Sequence, residues 1–574
     1  MTRSLKQPGF LPMTREEMRR LGWNELDVLL VSGDAYVDHP SFGTAVIGRY
    51  LVSRGFRTGV IAQPDWKQPQ EITRLGRPRL FAGITAGAMD SLVANYTANK
   101  KLRRDDAYAP GGAHGRRPNR ASIIYANLIQ RAFPGLAVVL GGIEASLRRL
   151  AHYDYWEDRV RRSLLLDAKA DLIVYGMGEL AVAEIARRLD QESDLAGIPG
   201  TAAVVASLPG DPGLVMLPSY EDLVQDRRLL TRAATDEERA REGHPARVIA
   251  QPHGKRWVAV YPPSRPLGAA ELDEIYGLPF AREAHPSYAE PVPALEPVRH
   301  SIITHRGCFG GCSFCALGLH QGKVIQSRSA ESVLAEARRL AARPDFHGTL
   351  TDLGGPTANM YGLRCSRPHG PCSRPSCLVP EVCRHLETSH AAQLKLLKQA
   401  AAIPGVRHVF VASGIRYDLA LCDPGYLSGL VHGGHVSGAL KVAPEHADSE
   451  VLALMRKPPW EVFERFVRAY QAACTRSGQR GLLTAYFIAS FPGADAAGMK
   501  QAAVQAKRLG LRVEQMQDFI PLPMTLAGVM YATGENPWTR KKLAVPRTHQ
   551  ERRRQRQTLL RRGSARTGQQ RKPA

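Results

Sequence analysis

Eleven short apolar runs, most of them bounded by Gly or Asp and separated by segments of helical period, limit this chain to a fold with parallel sheets. Five lie in the first third: Asp27 to Ser32, Thr58 to Ala62, Leu80 to Thr85, Leu136 to Leu140 and Asp171 to Tyr175. Between the first two, Val46, Ile47, Tyr50 and Leu51 recur at helical spacing. Six more follow: His300 to Thr304, Gly348 to Leu353, His408 to Ala412, Gly438 to Ala443, Thr484 to Ser490 and Val513 to Phe519, with helices predicted over Ala330 to Ala342 and Ala391 to Ala402. Strand–helix alternation of this kind predicts an α/β protein with a doubly wound sheet first and an open or partial β/α barrel second.

With 574 residues, two to four domains are expected. The pattern divides them as a Rossmann-like unit over 1–195, an insert and linker over 196–295, a partial β/α barrel over 296–545 and a basic, disordered tail over 546–574. The middle stretch is read as a surface insert because prolines crowd it and apolar periodicity weakens. Several strands of the first unit exit into Gly- or Asp-rich loops, at Gly33-Asp34, Gly87, Gly141-Gly142 and Gly176 to Glu179, where doubly wound sheets bind ligands. No apolar stretch is long enough to span a bilayer, and Met1 to Trp23 lacks the core of a signal peptide, so a cytoplasmic protein without membrane contact is expected. Arg540 to Ala574 holds 13 basic residues and one acid, about half of the net charge of +23. Such a tail suits RNA or the ribosome as a partner through phosphate neutralisation, and equally a solvating extension.

Seven of the nine cysteines fall between Cys308 and Cys383, which in a cytosolic chain points to metal ligation before disulfides. Cys308, Cys312 and Cys315 form C-x3-C-x2-C just after the run His300 to Thr304, with Gly310 and Gly311 inside the loop. Three thiolates on one loop suit a [4Fe–4S] cube with one open iron, or a zinc tetrahedron completed by His305 or His320. Cys365, Cys372, Cys377 and Cys383 form a second group, near His369, His385 and His390, whose spacing suits a structural zinc or an auxiliary iron–sulfur cluster.

The triplet, with Phe314 before its last cysteine, resembles that of the radical S-adenosylmethionine (SAM) enzymes. The resemblance implies SAM on the open iron, a reductant protein such as flavodoxin or ferredoxin, and hydrogen abstraction by a 5′-deoxyadenosyl radical. It also implies a backbone contact to SAM from Gly354 and Gly355, in Leu353 to Thr357, and a polar contact from Glu445, in Lys441 to His446. Ile488 to Gly493 resembles the segment that packs on adenine.

Closer still, Gly141 to Tyr155, Asp167 to Glu179, Leu440 to Glu445 with Met455 to Pro458, and Gln517 to Tyr531 resemble the YgiQ family, radical SAM proteins with an N-terminal cobalamin-binding-like domain. This resemblance covers most of the chain up to about 545, and it implies architecture and cofactor without a substrate. Cobalamin itself is a candidate ligand, but the D-x-H-x-x-G loop that would supply an axial histidine is absent: Asp38 and His39 are adjacent. The expected function is a radical SAM reaction on a macromolecule, RNA or protein, with a small molecule as competitor. The alternative is a non-catalytic zinc-binding, nucleic-acid-binding protein.

Overall fold

The computed structural model describes residues 5–243, 246–367, 372 and 374–563. All five early runs are strands: β1 (Val28–Ser32), β2 (Thr58–Ala62), β3 (Phe81–Thr85), β4 (Ala137–Gly141) and β5 (Leu172–Val174). They pair in parallel in the order β2-β1-β3-β4-β5, with Val28 opposite both Thr58 and Phe81. Helices α1 (Gly43–Ser53), α2 (Gly142–Leu147) and α3 (Glu179–Asp190) follow β1, β4 and β5. β1 and β2 are buried along their whole length, as a sheet covered on both faces requires. This strand order reverses between β1 and β3, which makes the loops after those two strands the natural ligand crevice.

The stretch expected to be a surface insert instead enlarges this sheet. β6 (Thr201–Val205), β7 (Val215–Met216), β8 (Ile249–His253) and β9 (Arg256–Val260) extend it to nine strands, with β6 antiparallel to β5. Pro252 lies inside β8, at a position β7 does not reach. A proline there forfeits no ladder bond but erases the strand signal from the sequence.

The second half holds β10 (Ser301–Ile303), β11 (Thr349–Leu350), β12 (Asp352–Gly354), β13 (His408–Val409), β14 (Ala439–Glu445), β15 (Leu482–Ala489) and β16 (Arg512–Asp518). β10 pairs with β12, β11 with β13, and β15 with both β14 and β16, all in parallel. A parallel bridge from Ile415 to Val442 joins the two groups. The result is a partial barrel, with α4 (Ala316–Gln321) and α5 (Ala330–Ala341) after its first strand. α5 turns Val333, Leu334, Ala337 and Leu340 into the core at helical spacing.

The tail also departs from expectation, for α6 (His549–Gly563) is a helix docked on the barrel. Arg552 donates to the Phe519 carbonyl at 2.5 Å, Gln555 Nε2 donates to the Ala494 carbonyl at 2.8 Å, and Gln555 Oε1 accepts the Ser490 N–H at 2.8 Å. Arg552 and Gln555 are buried, whereas Arg553, Arg554 and Arg556 are exposed. Gln555→Ala leaves two buried backbone groups without partners and is expected to cost about 1–3 kcal/mol. Urea unfolding measures this, and an unchanged midpoint would contradict the docked helix.

Candidate functional site

The cysteine loop leaves β10 through a short pairing of His305 and Arg306 with Gln326 and Ser327. Gly307 sits at φ +88°, and a Cβ there would meet the Val324 carbonyl oxygen at 2.2 Å, so only glycine lets the loop turn at this point. A Cβ on Gly311 would meet the Pro375 carbonyl oxygen at 2.3 Å. That near contact shows how closely the second cysteine segment is laid on the first loop. Ser376 Oγ donates to the Gly310 carbonyl at 2.8 Å, the Cys377 N–H donates to that of Phe309 at 3.1 Å, and Phe309 is buried among Met360, Leu363 and Leu378.

The three thiols of the triplet lie within electrostatic reach of one another. Burial, followed by the neighbouring Cys312 and Cys308, pushes Cys315 up to about 12, and burial with Cys312 also raises Cys308. Arg416 Nη1 donates to Cys312 Sγ at 3.4 Å and is held by Asp418, with Nη2 to Oδ2 at 2.6 Å. Cys308 Sγ stands 3.6 Å from Thr357 Oγ1. Among the described residues no three His, Cys, Asp or Glu side chains converge on a point fit for one metal ion. Of the two histidines considered for a zinc loop, His305 has both ring nitrogens engaged and His320 has one. His305 contacts Thr304 Oγ1 at 2.9 Å and donates to, or lies against, the Thr357 carbonyl at 3.0 Å, and His320 Nδ1 lies 3.0 Å from Ser146 Oγ.

The other anticipated residues gather around the same loop. Gly354 ends β12 and Gly355 follows it, where a Cβ would meet Ser413 Oγ at 2.1 Å and His305 Cε1 at 2.6 Å respectively, so their first duty is close packing. The Gly354 carbonyl already accepts the Thr304 N–H at 2.8 Å. Glu445 ends β14 at φ +70°, a conformation a non-glycine residue holds only under constraint. Burial raises its pKa while the Lys457 and Arg416 cations oppose the shift, so Arg416 faces both Glu445 and Cys312. Ser490, inside the expected adenine segment, is likewise left-handed at φ +65°.

In the second group, burial pushes Cys377 up to about 11, opposed by Lys323 and reinforced by Cys383, Cys372 and Cys365. All four thiols therefore share one neighbourhood, with Cys365 exposed. His369 lies outside the described residues.

A cavity of about 660 Å³ lies between the two sheets, at the carboxyl ends of both. Asp34, Gly87, Gly142 and Gly176 line it from the first sheet, and His305, Gly355, Asp352 and His320 from the barrel. His320 carries no family signal and was missed as a cavity residue. Its partner Ser146 accepts the Gly176 N–H at 3.1 Å, so the Ser146 hydroxyl proton is available to His320 Nδ1, which leaves Nε2 as the protonated nitrogen. The wall between the halves is pinned by a buried ion pair, Arg306 Nη1 to Glu179 Oε1 at 2.6 Å, with Arg306 Nε donating to Tyr276 Oη at 2.9 Å. His39 is fully buried and does not line the cavity, and Asp38 is committed to a buried ion pair with Arg49. The first sheet therefore offers no axial imidazole to a cobalamin.

Two adjoining family models cover residues 10–501: Radical SAM N-terminal over residues 10–301 and Radical SAM superfamily over 302–501. A UPF0313 protein of Geobacter sulfurreducens is 50% identical over 558 residues, which span 96% of this chain and 92% of that protein. The chain belongs to the UPF0313 family. A UPF0313 protein of Thermotoga neapolitana is 48% identical over 564 residues, covering 96% of this chain and 98% of its own. UPF0313 is the YgiQ family, as the motifs of both halves implied. Among solved structures, the chain is similar to the radical SAM methyltransferase TsrM from Kitasatospora setae with cobalamin and a [4Fe-4S] cluster bound, at a TM-score of 0.49 and 16% identity over 88% of this chain and 74% of that one. This UPF0313 chain is a radical SAM enzyme, a class that works with a [4Fe–4S] cluster and SAM, and the zinc-binding alternative finds no support. Among the described residues no helix is long and apolar enough to cross a membrane.

Burial holds His305, His320, His390 and His446 each down to about 4. Because the unfolded chain protonates these groups near 6.5 and the folded chain does not, stability rises with pH across about 4 to 6.5 and is lost on acidification. Thermal melts at a series of pH values check the sign. His305→Asn should flatten the acid limb, and an unaltered limb would mean that His305 is not held neutral.

Proposed function

We propose that Cys308, Cys312 and Cys315 are the ligands of the [4Fe–4S] cluster, with SAM held against it at the carboxyl ends of β12, β14 and β15. The observation that carries this reading is the half-buried gathering of three thiols on one loop at the mouth of a parallel barrel, with Arg416 donating to Cys312 and Thr357 beside Cys308. The donor set fits the group: three cysteines on one loop, and a cation, Arg416, that offsets the negative charge thiolates would bring. Reduced by one electron, such a cluster supplies the cleavage of SAM to a 5′-deoxyadenosyl radical that removes hydrogen from a substrate.

This chain's own residues then position and protect. The Gly354-Gly355 backbone and the Glu445 carboxylate form the polar rim on which SAM would lie, with Arg416 between Glu445 and Cys312. Phe314, beside Cys315, packs edge-on to Phe491 at 6.3 Å and helps keep water from the loop. Any cobalamin in the cavity would be held without an imidazole from the first sheet. Electrons would come from a flavodoxin- or ferredoxin-like protein. The substrate we favour is a macromolecule, RNA before protein, because of the basic excess. The second cysteine group we read as a structural metal site, zinc or iron–sulfur, that fastens residues 365–383 onto the cluster loop.

Cys308→Ala is expected to abolish both the visible absorption of the anaerobically purified protein and SAM cleavage, and to take with it an electron paramagnetic resonance signal that SAM perturbs. Retention of absorption and cleavage would overturn the ligand assignment. In the triple variant Cys308→Ala, Cys312→Ala, Cys315→Ala, metal analysis should still find about one zinc or one iron–sulfur cluster per chain at the second group. A metal-free triple variant would remove that site.

A further inference from the structure

Basicity in this chain is not confined to its tail. The run Lys100-Lys101-Leu102-Arg103-Arg104 belongs to the first domain, far from α6 in sequence. Lys100, Lys101, Leu102 and Arg104 are exposed, Leu102 by 59%. The fold sets this run against α6 at two points. Asp518, at the end of β16, accepts on one oxygen from Asn99 Nδ2 at 3.3 Å and from Arg556 Nη1 at 3.4 Å. The ring of Tyr155 lies 4.7 Å from the Lys100 ammonium and 5.9 Å from the Arg552 guanidinium. The segment Asn99–Lys100 and α6 thus meet at Asp518 and Tyr155, and α6 carries the exposed Arg553, Arg554 and Arg556.

An aromatic group borders the charge. Half-buried Trp156 stands 5.2 Å from the Tyr155 ring and 5.5 Å from Tyr96, and its carbonyl accepts from Lys100 Nζ at 3.3 Å. Most neighbouring acids are already engaged: Glu157 pairs with Arg120, Arg159 and Arg161, Asp158 with Arg227, and Glu551 bonds to Thr548, while Asp105, beside Arg104, is exposed. The surface also opens at the end of the barrel that carries the cysteine loop. Phe519, next to Asp518, packs on Phe491 at 5.1 Å, and Phe491 packs on Phe314, the neighbour of Cys315.

We propose that this surface binds single-stranded RNA, with phosphates on Lys101, Arg104, Arg553 and Arg554 and a base stacked on Trp156. The proposal rests on the reading of the chain as a macromolecule-modifying radical SAM enzyme and names its substrate class. Clustered cations alone would accept any polyanion, an acidic protein included; an accessible indole edged by two tyrosines and rimmed with cations is what an unpaired base requires.

The test uses the full-length, anaerobically purified protein without SAM. Fluorescence anisotropy follows a labelled single-stranded RNA oligonucleotide across a range of salt concentrations. The variant Lys101→Ala, Arg104→Ala, Arg553→Ala, Arg554→Ala should flatten the log–log salt slope by roughly 3, at about 0.7 per phosphate contact on a single strand. Trp156→Ala should weaken RNA binding roughly 10-fold, while leaving the binding of inorganic polyphosphate unchanged. An unchanged slope in the fourfold variant overturns the proposal, as does polyglutamate or polyphosphate binding as tightly as RNA, or tighter binding of DNA of the same sequence. Iron content is measured on the same samples. A full iron complement without RNA binding sinks this inference alone, whereas loss of iron with RNA binding intact counts against the cluster assignment alone.

Discussion

Much of the architecture depends on one buried ion pair between the two halves of the molecule. Glu179 begins α3 on the first sheet, Arg306 stands two residues before Cys308, and both are nearly inaccessible to water. Removing one partner of such a pair strands the other charge in a poor solvent, at a cost of about 3–5 kcal/mol. Tyr276 strengthens the joint, since its ring lies 5.0 Å from the Arg306 guanidinium and 4.8 Å from that of Arg328. The interaction that mounts the sheet on the barrel is therefore also the one that sets the entry of the cysteine loop.

That mounting makes the carboxyl ends of two parallel sheets face each other, so each supplies half of a single cavity. Glycines keep the sheet side open: Gly142 and Gly176 have positive φ, and a Cβ on Gly142 would strike Thr85 Oγ1 at 2.4 Å. On the barrel side burial keeps the imidazoles of His305 and His320 neutral, so the wall near the cluster loop adds hydrogen-bonding groups without adding charge. The formal cation nearest the triplet is Arg416, and Asp418 already balances it.

The strands of both parallel arrays were legible because each is a short apolar run between helical segments, and two-sided burial demands that pattern. Three features escaped for definite reasons. β8 carries Pro252 where no neighbour needs its amide. α6 docks through Arg552 and Gln555, polar side chains that bond backbone carbonyls and amides, so hydrophobic periodicity cannot register the contact. His320 owes its place to Ser146, a residue of the other domain. Of the candidate site, the triplet was plain from spacing, while the approach of Glu445 through Arg416 was visible only as a family resemblance.

By itself the sequence determined the class of fold, the order of its strands along the chain and the grouping of its cysteines, because apolar period and cysteine spacing are local properties. Tertiary structure alone decided which strands neighbour which, that the middle segment joins the first sheet, that the second cysteine segment lies on the first loop, and that Asn99 and Lys100 meet α6 at Asp518 and Tyr155. Those are contacts between residues tens to hundreds of positions apart. They are set by burial and charge pairing in three dimensions, which no local pattern encodes.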